Sequence, residues 1–252
     1  LMMIELKNVC KTLGRRPVLR GVNLSVNAGE TMMIVGPSGT GKSVTLSHII
    51  GLMRPESGTV LVDGMNVGEL DRRGLEKFRT RIGMLFQGGA LLNWLNIYDN
   101  VALPLRERTS LSEEQIRERV NPMLDLLELR GAAAKMPSEI SGGMVKRAGL
   151  ARAVVCEPKI MLYDEPTSGL DPVMSRRIDS LIDSMKHKYR MTSVVVTHDL
   201  VSALNIGDRI AMIAEGRIIE CDTPEMFMNS RHPLVREFIR AQFHAGRKKV
   251  FP

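Results

Sequence analysis

The chain is poor in cysteine and in aromatic residues, and it has no long apolar run. Its three cysteines, Cys10, Cys156 and Cys221, lie far apart and form no C-x-x-C pair. This spacing argues against a disulfide framework and against a zinc site, and it fits a reducing compartment. No apolar run approaches the roughly 20 residues that cross a bilayer as a helix. No internal repeat or low-complexity tract is visible either.

What is present is typical of a globular protein. Hydrophobic residues make up 44% of the 252 residues and charged residues 25%, which allows one large α/β domain or two closely packed lobes. The net charge is +7. A basic balance is compatible with nucleic acid or an anionic membrane face, but also with charges scattered over a solvated surface. We favour the scattered arrangement, except for the short basic run of Arg247, Lys248 and Lys249.

The order of apolar patterns predicts an α/β fold. Two short segments near the start alternate apolar and polar residues, which predicts a small antiparallel sheet. A compact apolar run over residues 31–35 predicts a buried strand that ends at Gly36, and a helical pattern starts near Gly41. Residues 157–230 alternate strands with helices, which indicates a largely parallel sheet covered by helices.

The middle of the chain reads as mostly helical. Ser112 and Gln115 form a capping-box pattern ahead of apolar residues at helical spacing. We therefore expect one domain over residues 1–230. Its core lobe would comprise residues 1–87 and 157–230, its helical lobe residues 88–156, and residues 231–252 would form a tail.

One segment matches the phosphate-binding loop G-x-x-x-x-G-K-[ST]. A predicted strand precedes it and a helical pattern follows, as the motif requires. Glycines let consecutive backbone N–H groups curl around an anion, and the helix start adds a positive dipole. Lys42 could reach the β- and γ-phosphates of a nucleotide, and the Ser43 hydroxyl could ligate Mg²⁺. The candidate nucleotide-binding residues are Gly36, Pro37, Ser38, Gly39, Thr40, Gly41, Lys42, Ser43 and Thr45.

A second apolar strand, Ile160 to Tyr163, ends in Asp164 and Glu165. Strand ends of this kind lie at the sheet edge where phosphates bind. Asp164 would hold Mg²⁺, and Glu165 would polarise the attacking water as a general base. Taken alone, two solvated acids at a strand end are the simpler interpretation. The phosphate loop makes the functional one preferable.

Four further elements carry a resemblance to a known family. A helical pattern starts directly after Ser141, Gly142 and Gly143. Gln87 ends an apolar stretch, and His198 directly follows a predicted strand over residues 193–197. A fourth element, residues 168–171, reads Ser-Gly-Leu-Asp and ends at Asp171. In their order along the chain, Gln87, Ser141 to Gly143, residues 168–171 and His198 resemble the Q-loop, signature, D-loop and switch histidine of the ABC ATPase family, and the resemblance spans residues 3 to 228.

The resemblance implies an ATPase with a P-loop NTPase fold: a RecA-like core with a mostly parallel sheet, N-terminal antiparallel strands and a helical ABC-specific lobe. It implies ATP and Mg²⁺ as cofactors, with Ser43, Gln87 and Asp164 at the metal. Glu165, His198, Gln87 and Lys42 would act in catalysis. Ser141, Gly142, Gly143 and Asp171 would meet the nucleotide of a second ATPase subunit, and a homodimer is the simpler form.

The resemblance also implies a membrane permease as partner, docked on the surface from Gly88 to Leu105, and a peripheral place on the cytoplasmic side of the inner membrane. Trp94, in this surface, could equally belong to the core. The stretches around Phe86 and around Met136 resemble ATPases of Mla-type phospholipid transporters, which work with mammalian-cell-entry (MCE) substrate-binding proteins. In that subgroup methionine at the Met144 position is usual, whereas most of the family has glutamine.

Other assignments fit less well. An ATPase for polar solutes is the main alternative, since an ATPase subunit does not touch the cargo. Leu13 stands where the family commonly has an aromatic residue that stacks on adenine, so base selectivity is open. DNA-repair ATPases of this family insert long coiled coils, for which the stretch between Gln87 and Ser141 is too short. Ribosome-acting members carry two cassettes, and this chain has one phosphate loop, so we expect no nucleic-acid partner.

Overall fold

The structure is a computed structural model, and it describes residues 1–244. The chain forms two compact units. Among the described residues, the first contains Leu1–Leu70 and residues 194–244, and the second contains Asp71–Ser193. The predicted lobe boundaries at residues 87 and 156 stay a prediction. The basic run at residues 247–249 lies outside the described residues.

The first unit begins with an antiparallel sheet, as the alternating pattern predicts. β1 (Met2–Leu13) pairs with β2 (Arg16–Asn27) and with β4 (Ser57–Val62), and β4 pairs with the short β5 (Met65–Asn66). The inward side chains of β1 and β2 are the alternating apolar residues, and all six are buried: Ile4, Leu6, Val9, Val22, Leu24 and Val26. The alternation therefore gives the buried face of this sheet, with one break between Leu6 and Val9, where the pairing of β1 is irregular.

The remaining strands of the first unit carry the phosphate loop. In β3 (Thr31–Val35) all five residues are buried, so neither face of this strand is exposed to solvent. α1 (Lys42–Ile49) follows it. β3 pairs in parallel with β9 (Arg209–Ala214), and β9 pairs with the antiparallel β10 (Arg217–Asp222). α7 (Leu200–Ile206), α8 (Pro224–Met228) and α9 (Pro233–His244) complete this unit.

The second unit is mostly helical around one parallel strand pair, β6 (Ile82–Leu85) with β7 (Ile160–Asp164). Its helices are α2 (Arg72–Arg79), α3 (Ile97–Arg108), α4 (Glu113–Leu126), α5 (Gly142–Val154) and α6 (Pro172–Tyr189). The predicted capping box is confirmed, since Ser112 and Gln115 bond reciprocally at the start of α4. β8 (Thr192–Thr197) runs across the point where the chain passes from the second unit to the first.

Within residues 1–244, no helix is long and apolar enough to cross a membrane. All three cysteines carry free thiols.

Candidate functional site

The phosphate loop, residues 36–43, contains two glycines with positive φ, at which any other residue would be strained. Gly36 has a φ of 148°, and a Cβ there would lie 2.3 Å from the carbonyl oxygen of Ile213. Gly41 has a φ of 106°, and its Cβ would meet the side chain of Leu19 at 2.7 Å. Positive φ strains any other residue at both positions, and at Gly36 the approach to a backbone atom leaves no room for a Cβ. The loop is therefore held tightly on both sides of its exposed tip.

Lys42 lies against this loop. Its Nζ donates to the carbonyl oxygens of Gly36 at 2.8 Å and Pro37 at 3.0 Å, and the side chain is only 7% exposed. The Thr40 hydroxyl donates to the same Pro37 carbonyl at 2.9 Å. The ammonium thus lies within the loop in which it is predicted to contact the nucleotide phosphates.

The tip of the loop is open, because Pro37, Ser38 and Gly39 are exposed, and so is Ser43 in the first turn of α1. The amino end of a helix carries partial positive charge and favours an anion. Thr45 differs from these residues, since it is buried and its hydroxyl donates to the Gly41 carbonyl at 2.9 Å.

The predicted switch histidine, His198, is exposed and follows directly after the buried strand β8. The next residue, Asp199, accepts hydrogen bonds from the N–H groups of Val201 and Ser202, at 2.9 and 3.2 Å, and so caps α7. His198 is therefore fixed between a strand end and a capped helix start, while its side chain reaches the surface.

In the second unit, β7 delivers the two acidic residues. Its four apolar residues are buried, and Asp164 ends the strand half-buried. Glu165, also half-buried, has a φ of 50°, so the chain turns sharply there. The turn closes through the Ser168 N–H, which donates to the Glu165 carbonyl at 3.2 Å.

A buried lysine meets this turn, which the motif analysis missed. Lys146 of α5 donates from Nζ to the Glu165 carbonyl at 3.1 Å and to the Ser168 hydroxyl oxygen at 3.2 Å. Burial lowers the pKa of Lys146, and the negative charge of Glu165 opposes that shift. The sequence places Lys146 on the helix after the signature, but it carries no signal for a contact with residues about 20 positions away.

The signature residues form the start of α5. Ser141 caps the helix, and its Oγ accepts from the Met144 N–H at 3.4 Å. A Cβ on Gly142 would meet no atom within 4 Å, whereas a Cβ on Gly143 would lie 3.1 Å from the Met174 side chain. Ser141 and Gly142 are both exposed. The positive end of a 13-residue helix therefore faces open space, which suits an anion brought by another molecule.

Asp171 is placed by the same chemistry at another helix. Its Oδ1 accepts from the N–H groups of Val173 at 2.9 Å and Met174 at 3.0 Å, which makes it the N-cap of α6. The carboxylate is exposed. The capping role alone explains an aspartate here, and its predicted contact with nucleotide stays a prediction.

Gln87 is exposed two residues after β6 ends. The chain after it presses against α5: a Cβ on Gly149 would lie 2.8 Å from the carbonyl oxygen of Gly89 and 3.0 Å from its Cα. Arg152 donates to the same carbonyl at 3.0 Å. The segment after Gln87 is therefore anchored on the signature helix, a link that the sequence analysis did not foresee.

The surface from Gly88 to Leu105 is less apolar on its outside than the sequence suggests. Trp94 is 74% exposed, which rules out the interpretation as a core residue. Ile97, Val101 and Leu105 are fully buried instead. They recur at four-residue spacing along α3, so they form its inner face.

Comparison with known proteins identifies the family. Residues 19–168 match the family model described as "ABC transporter". The chain belongs to this family and is an ATP-binding subunit that couples ATP hydrolysis to transport.

Two curated relatives are similar along nearly the whole chain. A probable ribonucleotide transport ATP-binding protein (mkl) of Mycobacterium leprae is 43% identical over 239 residues, 95% of this chain and 69% of that protein. The intermembrane phospholipid transport system ATP-binding protein MlaF of Haemophilus influenzae is 42% identical over 240 residues, 95% of this chain and 91% of that protein.

Solved structures agree with the fold class. A dimeric ATP-binding cassette in a post-hydrolysis state, bound to ADP and Pi, is 36% identical to this chain, with a TM-score of 0.82. The match covers 88% of this chain and 99% of that one. The predicted fold, an ABC ATPase cassette with a mostly parallel core sheet and N-terminal antiparallel strands, is confirmed.

Proposed function

We propose that this chain is the ATPase of a phospholipid transporter and acts as a homodimer. Each ATP would lie between residues 36–43 of one subunit and residues 141–143 of the other. The observation that carries the proposal is the exposed, unobstructed start of α5 at Ser141 and Gly142, in a chain that also holds a complete phosphate loop. In the proposed dimer, a second copy would complete each of these half-sites.

ATP binding would depend on the loop and Lys42. The glycine-rich backbone of the loop and the amino end of α1 favour binding of the phosphates. The Lys42 ammonium would exchange its hydrogen bonds to loop carbonyls for hydrogen bonds to the β- and γ-phosphate oxygens. At the other half-site, the N–H groups at the start of α5 and the Ser141 hydroxyl would bind the γ-phosphate of the partner's ATP.

The proposed ligands suit Mg²⁺ by their chemistry alone: the Ser43 hydroxyl of the first unit and, in the second unit, the Asp164 carboxylate and the Gln87 amide would each offer an oxygen, the ligand atom that Mg²⁺ prefers. Among residues 1–244 there is no cluster of three His, Cys, Asp or Glu side chains that would bind a metal without nucleotide. One carboxylate together with phosphates is the usual arrangement for Mg²⁺. When bound, the ion neutralises charge that develops on the phosphate oxygens.

Glu165 would act as the general base. Its carboxylate takes a proton from a water whose oxygen attacks the γ-phosphorus, while the bond from that phosphorus to the β,γ-bridging oxygen breaks, leaving ADP and phosphate. His198 would hydrogen-bond the γ-phosphate and so respond to its loss. Asp171 would reach the partner subunit from the start of α6.

The test is Glu165→Gln, which keeps the shape of the side chain and removes its basicity. We expect at least a ~100-fold loss of kcat, in line with the loss of a general base, while ATP still binds and an ATP-bound dimer accumulates. Glu118→Gln, on the exposed face of α4, is the matched control and should turn over normally. Near-normal hydrolysis by Glu165→Gln would show that the base is another residue.

The phospholipid cargo is supported by MlaF, which shares 91% of its length with this chain. The relative named for ribonucleotide transport supports the alternative, a polar solute. The two are separated by purifying the chain with its permease and measuring ATPase stimulation by phospholipid vesicles and by ribonucleotides. Stimulation by ribonucleotides alone would reject the phospholipid proposal.

The permease would dock on the surface from Gly88 to Leu105, with Trp94 as its exposed anchor. An exposed tryptophan is typical of interfaces, where its large ring is buried on binding. This docking would hold the subunit at the cytoplasmic face of the inner membrane, and an MCE-domain protein would complete the transporter.

A further inference from the structure

Lys146 is one of few buried cations in the described chain, and it contacts the turn that carries Glu165. Its side chain leaves α5 and is 7% exposed. The Nζ atom lies 3.1 Å from the Glu165 carbonyl oxygen and 3.2 Å from the Ser168 hydroxyl oxygen. Burying an ammonium costs free energy unless hydrogen bonds replace its water. These two acceptors provide that replacement.

The turn has a conformation that needs external support. Glu165 has a φ of 50°, which side chains other than glycine adopt rarely. The Glu165 carbonyl oxygen accepts from both the Ser168 N–H, at 3.2 Å, and Lys146. A conformation of this kind persists when its surroundings over-determine it. The lysine supplies a contact from outside the turn, whereas the Ser168 bond is local to it.

We propose that Lys146 is a positioning residue for Glu165. By donating hydrogen bonds to the Glu165 carbonyl and the Ser168 hydroxyl, it fixes the turn that orients the Glu165 carboxylate. The proposal rests on the proposed role of Glu165 as the general base. A misplaced base loses rate with little effect on substrate binding, because binding depends on other residues. The lysine should therefore act on kcat and not on KM.

The experiment uses the whole 252-residue chain as a dimer with saturating Mg²⁺ and ATP. Lys146→Met removes the donors and keeps an unbranched side chain that is one atom shorter. We expect kcat to fall at least about tenfold, as befits a lost charge-assisted hydrogen bond, with KM changed less than about threefold. Lys146→Arg should keep kcat within about threefold of the parent, because the guanidinium also donates. Lys135→Met, on an exposed lysine of the same unit, is the control.

Ser168→Ala adds a double-mutant cycle. If Ser168 acts together with Lys146, adding Ser168→Ala to Lys146→Met should lower kcat less than about twofold further. Should Lys146→Met fail to fold, Ser168→Ala carries the test alone, with an expected loss of about threefold in kcat at unchanged melting temperature. An unchanged kcat in that variant would overturn the proposal.

Two other results would overturn it: a kcat of Lys146→Met within about twofold of the parent, or equal losses for the Met and Arg variants. Glu165→Gln in the same assay separates this failure from failure of the proposed function. If Glu165→Gln is inactive and Lys146→Met is normal, only the positioning role falls. If Glu165→Gln is active, the assignment of the base falls first.

Discussion

Gly149→Ala tests the close approach between α5 and the chain that follows Gln87. The new Cβ would lie 2.8 Å from the Gly89 carbonyl oxygen, 2.9 Å from the Leu85 side chain and 3.0 Å from the Gly89 Cα. Two of these three atoms are backbone, so a rotamer change cannot relieve the contact. The segment or the helix must move.

Two opposing effects set the size of the change. Alanine is favoured over glycine inside a helix by ~1 kcal/mol, whereas overpacking costs ~1–3 kcal/mol. Because backbone atoms are involved, we take the upper end, which leaves a net loss of ~2 kcal/mol in the free energy of unfolding. For a chain of this size that corresponds to a drop of about 4–8 °C in melting temperature.

The assay is urea unfolding together with the ATPase rate at 25 °C. Gly131→Ala is the matched control, because its Cβ would meet no atom within 4 Å; its stability should change by less than ~0.5 kcal/mol. For Gly149→Ala, kcat should fall beyond what the unfolded fraction explains, since Gly89 is two residues from Gln87. A variant as stable as the parent, or more stable, would refute the close approach.

The remaining predictions concern Trp94 and His48. Trp94→Ala should leave the melting temperature unchanged, because the ring is 74% exposed, and should weaken permease binding by ~2 kcal/mol in a pull-down titration; a lower melting temperature with intact binding would contradict the docking surface. Burial lowers the pKa of His48, whose Nε2 is buried. Below pH 6.5 the unfolded chain takes up the proton first, so stability is lost as the pH falls. In urea unfolding from pH 7.5 to about 5, His48→Gln should flatten this loss; parallel curves for parent and variant would refute it.

Local pattern predicts the elements of this fold well, because each follows from a chemistry confined to a few neighbouring residues. The alternation in β1 and β2 gives their buried faces, and the reciprocal bonds of Ser112 and Gln115 give the start of α4. The phosphate loop needs glycine at Gly36 and Gly41 for reasons that the structure makes explicit.

Which residues are buried in the proposed docking surface, from Gly88 to Leu105, could not be predicted so well. Leu91, Leu92, Trp94, Leu95 and Ile97 look alike as an apolar run, yet their exposure ranges from 74% for Trp94 to none for Ile97. The difference depends on where α3 begins, since Ile97 is its first residue and turns toward the inner face. A run without a clear period does not carry that information.

The contacts of α5 are the part of the site that the sequence cannot supply. The motif identifies Ser141 to Gly143, but Lys146, Gly149 and Arg152 are recognised only from their tertiary partners. The hydrogen bonds of Lys146 and Arg152 join residues that are 19 and 63 positions apart in the sequence, so they depend on the packing of the whole unit. A single sequence holds no record of such pairs.

Through these contacts, α5 connects the Glu165 turn with the segment around Gly89 in the second unit. Lys146 grips the Glu165 turn, while Gly149 and Arg152 hold Gly89. Lys146 and Arg152 are six residues apart on one helix, which is about 9 Å along its axis, and a helix of this length does not stretch. A displacement of Gly89 must therefore either break the Arg152 bond or carry α5 with it. In the second case the Glu165 turn moves too, so force on the proposed docking segment would reach the proposed base through one helix.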